Sequence, residues 1–180
     1  GDLSEIALGW CTYNGDHMSM YSVNATVTKT CVALIVGWYA SREAQSERLA
    51  ATLADIVATP YSPELLPVQA GENEMIQPTE QLIGPYELHD FFLYHMIYGK
   101  SSPEKVFYLA SVAFAEKYNQ EIIKTTMKQF VKRFFSQQFK RNCMPDGPKV
   151  GCISLSPRGE WRMPSDAVGT MWLRAIDALK

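Results

Sequence analysis

The stretch Gln120-Glu121-Ile122-Ile123-Lys124-Thr125-Thr126-Met127-Lys128-Gln129-Phe130-Val131-Lys132-Arg133-Phe134-Phe135 sets the architecture of the chain. Ile122, Ile123, Met127, Phe130, Val131, Phe134 and Phe135 recur at three- and four-residue steps, which places them on one stripe of a helix. Lys124, Lys128, Lys132 and Arg133 fall elsewhere, and Asn119 stands ready to cap. The spacing predicts a helix over 120–139 with one face on a core. Upstream, Ser102 before Pro103 opens a second helix over 103–118, and Tyr86 to Tyr98, closed by Gly99, forms a third. In the latter the aromatic run Phe91, Phe92, Tyr94 and Tyr98 is expected in the core.

Further towards the amino terminus, Thr28 caps an apolar run from Lys29 to Ala40 (Val32, Ala33, Leu34, Ile35, Val36, Trp38, Tyr39), which reads as a buried helix. Ser41 to Ala58 carries Leu49, Leu53, Ile56 and Val57 and reads as an amphipathic helix ending before Pro60. Between Pro60 and Pro85 the prolines, two glycines and the polar run Glu72-Asn73-Glu74 allow no long periodic element, and 69–83 is the expected mobile loop. At the start, Leu3, Ile6, Ala7 and Trp10 have helical spacing, with Asp2 or Ser4 as cap and Gly9 near the end. A short extended stretch is expected over 18–27 after the Asn14-Gly15 turn. The tail from Cys143 to Pro164 reads as ordered coil, followed by a short helix over 167–179.

The chain has 180 residues, 47% hydrophobic and 20% charged, enough for one domain with a substantial core. No window approaches the roughly 18 consecutive apolar residues of a membrane span. Seventeen basic against nineteen acidic residues leave a net charge of -2, which argues against nucleic acid as a partner. Cys11, Cys31, Cys143 and Cys152 form no CxxC pair, so neither a zinc site nor a disulfide framework is expected, and reduced thiols in the cytoplasm account for them. Gly1-Asp2-Leu3 enters a periodic segment with no initiating methionine, and a piece of a longer protein is expected.

Two groups of residues have the chemistry of a site. Asp2, Glu5, Asp16 and Lys29 combine carboxylates that can hold Mg²⁺ with a cation that can neutralise phosphate, though such residues serve more often as caps and solvated charges. Gln138-Phe139-Lys140-Arg141, with Lys149, Arg158 and Arg162, supply cations that suit an anion or a helix carboxy terminus. His17, His89 and His95 match no ligand pattern, and the last two are expected to be buried and hydrogen-bonded.

Three segments resemble a known family. Gly1-Asp2-Leu3-Ser4-Glu5-Ile6-Ala7-Leu8-Gly9-Trp10-Cys11-Thr12-Tyr13-Asn14-Gly15-Asp16 is similar to the GDLSE-x-ALGW-x-TY-x-GD segment of bacterial glutamine-dependent NAD synthetases. Tyr21-Ser22-Val23-Asn24-Ala25 and Lys29-Thr30 continue it, with Thr28 where the family has proline. Gly84-Pro85-Tyr86-Glu87-Leu88-His89-Asp90-Phe91-Phe92-Leu93-Tyr94 is the second. The third joins Phe134 to Arg141 with Gly147-Pro148-Lys149-Val150 and Leu155-Ser156-Pro157-Arg158-Gly159-Glu160-Trp161-Arg162-Met163-Pro164-Ser165-Asp166.

The resemblance implies the carboxy-terminal part of a synthetase domain of α/β, adenine-nucleotide α-hydrolase-like (PP-loop ATP pyrophosphatase) fold, this portion being mostly α-helical. It implies a ligase that adenylates the nicotinate carboxylate of deamido-NAD with ATP and Mg²⁺ and then amidates it with glutamine-derived ammonia. The glutaminase domain of the same full-length chain and further copies in a homo-oligomer are the implied partners, and a mobile 69–83 would serve as a lid.

By position, Asp16 and Lys29 are the implied catalytic residues. Glu5 and Lys29 would bind ATP, and Glu5 the metal. Glu5, Trp10, Cys11, Thr12, Tyr13, Phe139, Lys140 and Glu160 would contact deamido-NAD, Glu160 standing where many relatives have aspartate. The 180 residues contain no SGGxDS phosphate loop and no amidase triad, so they are expected to be inactive alone. Two alternatives remain: another ligase of the same fold, and a non-catalytic helical dimerisation or scaffold module.

Overall fold

The computed structural model describes residues 1–11, 21–60 and 79–179. Among these the helices are α1 (Leu3–Leu8), α2 (Lys29–Arg42), α3 (Glu47–Ala58), α4 (Thr79–Ile83), α5 (Tyr86–Phe92) with a π-helical turn (Leu93–Tyr98), α6 (Pro103–Ala113), α7 (Gln120–Ser136), α8 (Gln138–Cys143) and α9 (Thr170–Asp177). The expected helical majority is observed. The α/β sheet that the resemblance implies has no strand among the described residues.

α7 is the spine, as its stripe predicts. Asn119 caps it by accepting from the Ile122 amide, and Ile123, Thr126, Met127, Phe130, Val131 and Phe134 are buried. α5 lays Tyr86, Leu88, His89 and Phe92 against it, with the Phe92 and Phe130 rings 6.0 Å apart. α6 contributes Val106, Phe107 and Ala110, and α9 contributes Ile176. Burying each large apolar side chain is worth about 1.5–3 kcal/mol relative to exposure, so this aromatic cluster supplies much of the fold's stability. The tail is ordered coil, as expected, and brings Trp161 to 5.2 Å from the Phe134 ring.

Two glycines permit close approaches. Gly84, at φ 92°, faces Thr126 so closely that a β-carbon would lie 2.8 Å from its side chain, and Gly9, at φ 65°, meets Gln137 in the same way at 2.3 Å. The second contact presses the end of α1 onto the junction of α7 and α8. There the expected single helix over 120–139 breaks at Gln137 and resumes as α8.

Other expectations need correction. α2 is not buried: none of its residues is, and Leu34 and Trp38 are 73% and 56% exposed. It pairs with α3 in a hairpin that meets the rest of the described chain at α1 and α5. A cleft of about 830 Å³ runs along it, with Leu34 and Trp38 on one wall and Tyr86, Glu87 and Tyr118 on the other. Apolar residues all round a helix say that it is to be covered but not by what.

The expected 41–58 helix is two pieces, because α2 runs on to Arg42 and Ser46 starts α3 by capping Leu49. Residues 21–27 are turns rather than a strand: Ala25 bonds Ser22 and Val27 bonds Asn24, while Thr26 Oγ1 accepts from the Val150 amide at 2.8 Å. Of the aromatic run, Phe92 is buried but Tyr94 and Tyr98 are exposed, their rings 5.4 Å apart where the π turn rotates them outwards. Of the expected mobile stretch 69–83, Thr79–Ile83 is a helical turn with Ile83 buried, and 69–78 lies outside the described residues. All four cysteines are free thiols, and among the described residues no helix is long and apolar enough to cross a membrane.

Candidate functional site

The amino-terminal end of α1 is built by a capping box. Asp2 Oδ1 accepts from the Glu5 amide at 2.9 Å and Glu5 Oε2 accepts from the Asp2 amide at 3.2 Å, which turns both carboxylates to one end of the helix. The Leu3 amide bonds Val27 O at 2.9 Å and brings the start of α2 alongside. There Lys29 Nζ lies 2.8 Å from Asp2 Oδ2 and 2.7 Å from Glu5 Oε1, above the Tyr86 ring at 5.1 Å.

Burial works against the lysine charge, but the attraction and hydrogen bonds of Asp2 and Glu5 outweigh it and raise the Lys29 pKa. Burial raises Asp2, and repulsion from Glu5 adds to it against the pull of Lys29. Two carboxylates and one ammonium leave one negative charge, on hard oxygen donors of which Glu5 keeps a partly exposed side chain.

The lysine is held through its backbone. Thr28 Oγ1 accepts from the Cys31 amide at 3.3 Å, Ser4 Oγ from the Lys29 amide at 2.9 Å, and Asp90 Oδ2 from the Thr30 amide at 3.1 Å. Thr30 Oγ1 also donates to Asp90 Oδ2 at 2.5 Å, and Ser4 Oγ donates to Asp90 Oδ1. Every amide in the first turn of α2 therefore has a protein partner, and the helix end is already matched with a buried carboxylate. Burial raises the Asp90 pKa, and the bonds from Ser4 and Thr30 oppose that rise.

At the other end of α1 the free carbonyls are met by cations from α7 and α8. Arg141, buried, donates Nη1 to Ile6 O at 3.2 Å and Ala7 O at 2.8 Å, Nη2 to Phe134 O, and Nε to Gln138 Oε1 at 2.9 Å. Burial lowers its pKa to about 10. Arg133 Nε donates to Leu8 O at 2.8 Å with its guanidinium 4.6 Å from the Trp10 ring centre. Lys140 Nζ donates to Gly9 O at 2.8 Å and Cys11 O at 3.3 Å.

No family model matches the chain. Over 98% of its length it is 40% identical to the glutamine-dependent NAD(+) synthetases of Mycobacterium tuberculosis (strain ATCC 25618 / H37Rv) and Mycobacterium bovis (strain ATCC BAA-935 / AF2122/97), and 38% identical to that of Mycobacterium leprae (strain TN). Its homologues are glutamine-dependent NAD(+) synthetases. The chain spans 28% of the length of these NAD(+) synthetases and so matches a segment of them. The crystal structure of the glutamine-dependent NAD(+) synthetase from Cytophaga hutchinsonii aligns with 98% of this chain and 25% of its own, with a TM-score of 0.67 at 16% identity, a likeness of fold.

Of the group Asp2, Glu5, Asp16 and Lys29 that the residue types suggested, the structure brings Asp2, Glu5 and Lys29 together. Trp10, Cys11 and Lys140 form a second group at the far end of α1, and Phe139, beside Lys140, is 41% exposed. The Cys11 thiol is buried 3.7 Å from Met144 Sδ, and burial raises its pKa, which keeps it protonated. Glu160 pairs with Lys149 on the exposed tail, and Arg158 with Asp146. Thr12, Tyr13, Asp16 and His17 lie outside the described residues. Sequence reasoning missed Asp90; its signal was a buried-helix carboxylate one turn after Tyr86, among the apolar and aromatic residues of α5.

Proposed function

We propose that this chain is the part of a glutamine-dependent NAD(+) synthetase that carries the cationic and acidic groups of the synthetase site. In that reaction the nicotinate carboxylate of deamido-NAD attacks the α-phosphorus of ATP and pyrophosphate leaves. Ammonia then attacks the carbonyl carbon of the adenylate, AMP departs with the C–O electron pair, and the nitrogen sheds a proton to give the amide of NAD. The likeness over 98% of the chain supports the assignment, and the observation that carries it to a site is the Asp2–Glu5–Lys29 cluster.

Lys29 is the group that turns to the phosphates. The first-turn amides of α2 are all engaged, so this helix start adds no donor of its own, and the lysine side chain alone supplies its positive charge. Mg²⁺ would be held by Glu5 with Asp2 beside it: the pair offers hard oxygens and a residual negative charge. This ion commonly takes only one or two carboxylates and completes its shell with phosphate and water. Bound there, it would neutralise phosphate charge as it develops. Asp16 is assigned to hold or deprotonate the incoming ammonium.

Trp10, Cys11, Thr12, Tyr13, Phe139 and Lys140 are assigned to the deamido-NAD wall, where Lys140 sets the Gly9–Cys11 backbone and Arg133 backs one face of Trp10. Glu160 joins them only by position in the family pattern. The exposed apolar face of α2 supports burial against another copy or the remainder of a longer chain. The isolated 180 residues are expected to make no NAD.

The test is NAD formation from deamido-NAD, ATP and ammonium by the complete enzyme that carries this segment. Glu5→Gln is expected to lower kcat about a hundredfold. Absence of NAD from the wild-type enzyme, or full activity in the variant, would overturn the assignment.

A further inference from the structure

We infer that Asp90 is a positioning residue for Lys29, acting through the first turn of α2; the inference rests on the proposed role of Lys29. Asp90 comes from α5, whose other face is locked into the aromatic core on α7. From that fixed base its two oxygens reach two different elements. Oδ1 receives the Ser4 hydroxyl of α1, whose oxygen in turn accepts the Lys29 amide, and Oδ2 receives both the amide and the hydroxyl of Thr30. The carboxylate thus ties α1, α2 and α5 at one point, and Lys29 is the residue between the bonds.

The remainder of α2 gives Lys29 no comparable support. The helix has no buried residue and borders an open cleft, so its position relative to α1 depends on its first turn. A lysine side chain is flexible, and displacing its backbone by an ångström moves Nζ out of the notch between Asp2 and Glu5. All donors facing Asp90 carry protons aimed at it, so an amide in its place sets its own N–H against one of them. Asp90 acts through Lys29 and need not touch substrate.

The experiment uses the complete enzyme carrying this segment, with deamido-NAD, ATP and ammonium. Asp90→Asn is expected to reduce kcat about 10- to 100-fold and to leave KM for ammonium unchanged. Thr30→Val, which removes one donor and keeps the shape, should lower kcat in the same direction, whereas Thr30→Ser, which keeps both donors, should retain wild-type kcat. Val131→Ala in the core of α7 controls for stability: it should lower the unfolding midpoint without lowering kcat at assay temperature.

A second readout follows Lys29 itself, as the rate at which an amine-reactive reagent modifies it, read by peptide mass spectrometry. Asp90→Asn should speed that modification, and Val131→Ala should not. If the wild-type enzyme makes NAD and both Asp90→Asn and Thr30→Val keep wild-type kcat, or if Thr30→Ser loses as much as Thr30→Val, the positioning role is overturned. If the wild-type enzyme makes no NAD, the ligase reading fails by itself. The modification rate then decides, an increase supporting the role and an unchanged rate refuting it.

Discussion

The two ends of α1 carry opposite charge chemistry, and the difference separates structure from function. At the carboxy-terminal end, Arg133, Lys140 and Arg141 donate to backbone carbonyls that cannot leave, so these cations are committed. At the amino-terminal end, Lys29 is held by two carboxylate side chains that can exchange it for a cation or release it to an anion. A cation held by side chains can be exchanged, in keeping with the role proposed for Lys29; an arginine that closes a helix cannot.

The largest expected effect falls on the committed end. Arg141→Met leaves the Ile6, Ala7 and Phe134 carbonyls buried without their donor and is expected to cost about 3–5 kcal/mol, read as the urea midpoint. An unchanged midpoint would break the contrast at once.

His89, buried on α5 against Phe130, sharpens it from the core. Its Nε2 lies 2.8 Å from Ile83 O and burial lowers its pKa to about 4. The unfolded chain, with the ordinary value near 6.5, binds this proton more readily, so stability is fully present above pH 6.5 and is lost as pH falls towards 4. The loss amounts to up to about 3 kcal/mol. Denaturation at stepped pH checks this, and His89→Gln should flatten the slope in that window.

Lys29→Met should cost less, about 1–2 kcal/mol at pH 7, because it leaves Asp2 and Glu5 facing each other without a cation. Asp2, whose pKa burial and Glu5 raise, then loses the opposing pull of Lys29 and binds its proton more tightly folded than unfolded. Stability in this variant should therefore recover as pH falls through the carboxylate range, opposite in sign to the histidine effect. Arg158→Ala breaks an exposed pair with Asp146 and should change stability by less than about 1 kcal/mol. Trp38→Ser, on the open face of α2, should stay within about 0.5 kcal/mol in the isolated chain.

What the sequence made legible was local. Asp2 and Gly9 announced the two ends of α1, and the stripe of α7 announced the core, because caps and periodicity act over a few residues. The exposure of α2 could not be read, since apolar composition does not say what covers a helix. Nor could the break at Gln137, which depends on a glycine from the other end of the chain. The same holds for the site: Glu5 and Lys29 were marked by residue type and by family pattern. The partners of Asp90 and the committed role of Lys140 arise from bonds across 60 and 131 residues, a separation that no local pattern records.

The proposed role of Lys29 requires that it be held for chemistry rather than for folding. The direct measurement is kcat for NAD formation together with the urea midpoint of Lys29→Met in the complete enzyme. The account predicts a fall in kcat of about 10²–10³-fold beside the small loss of stability given above. A folded variant that keeps kcat within about tenfold of wild type would contradict it.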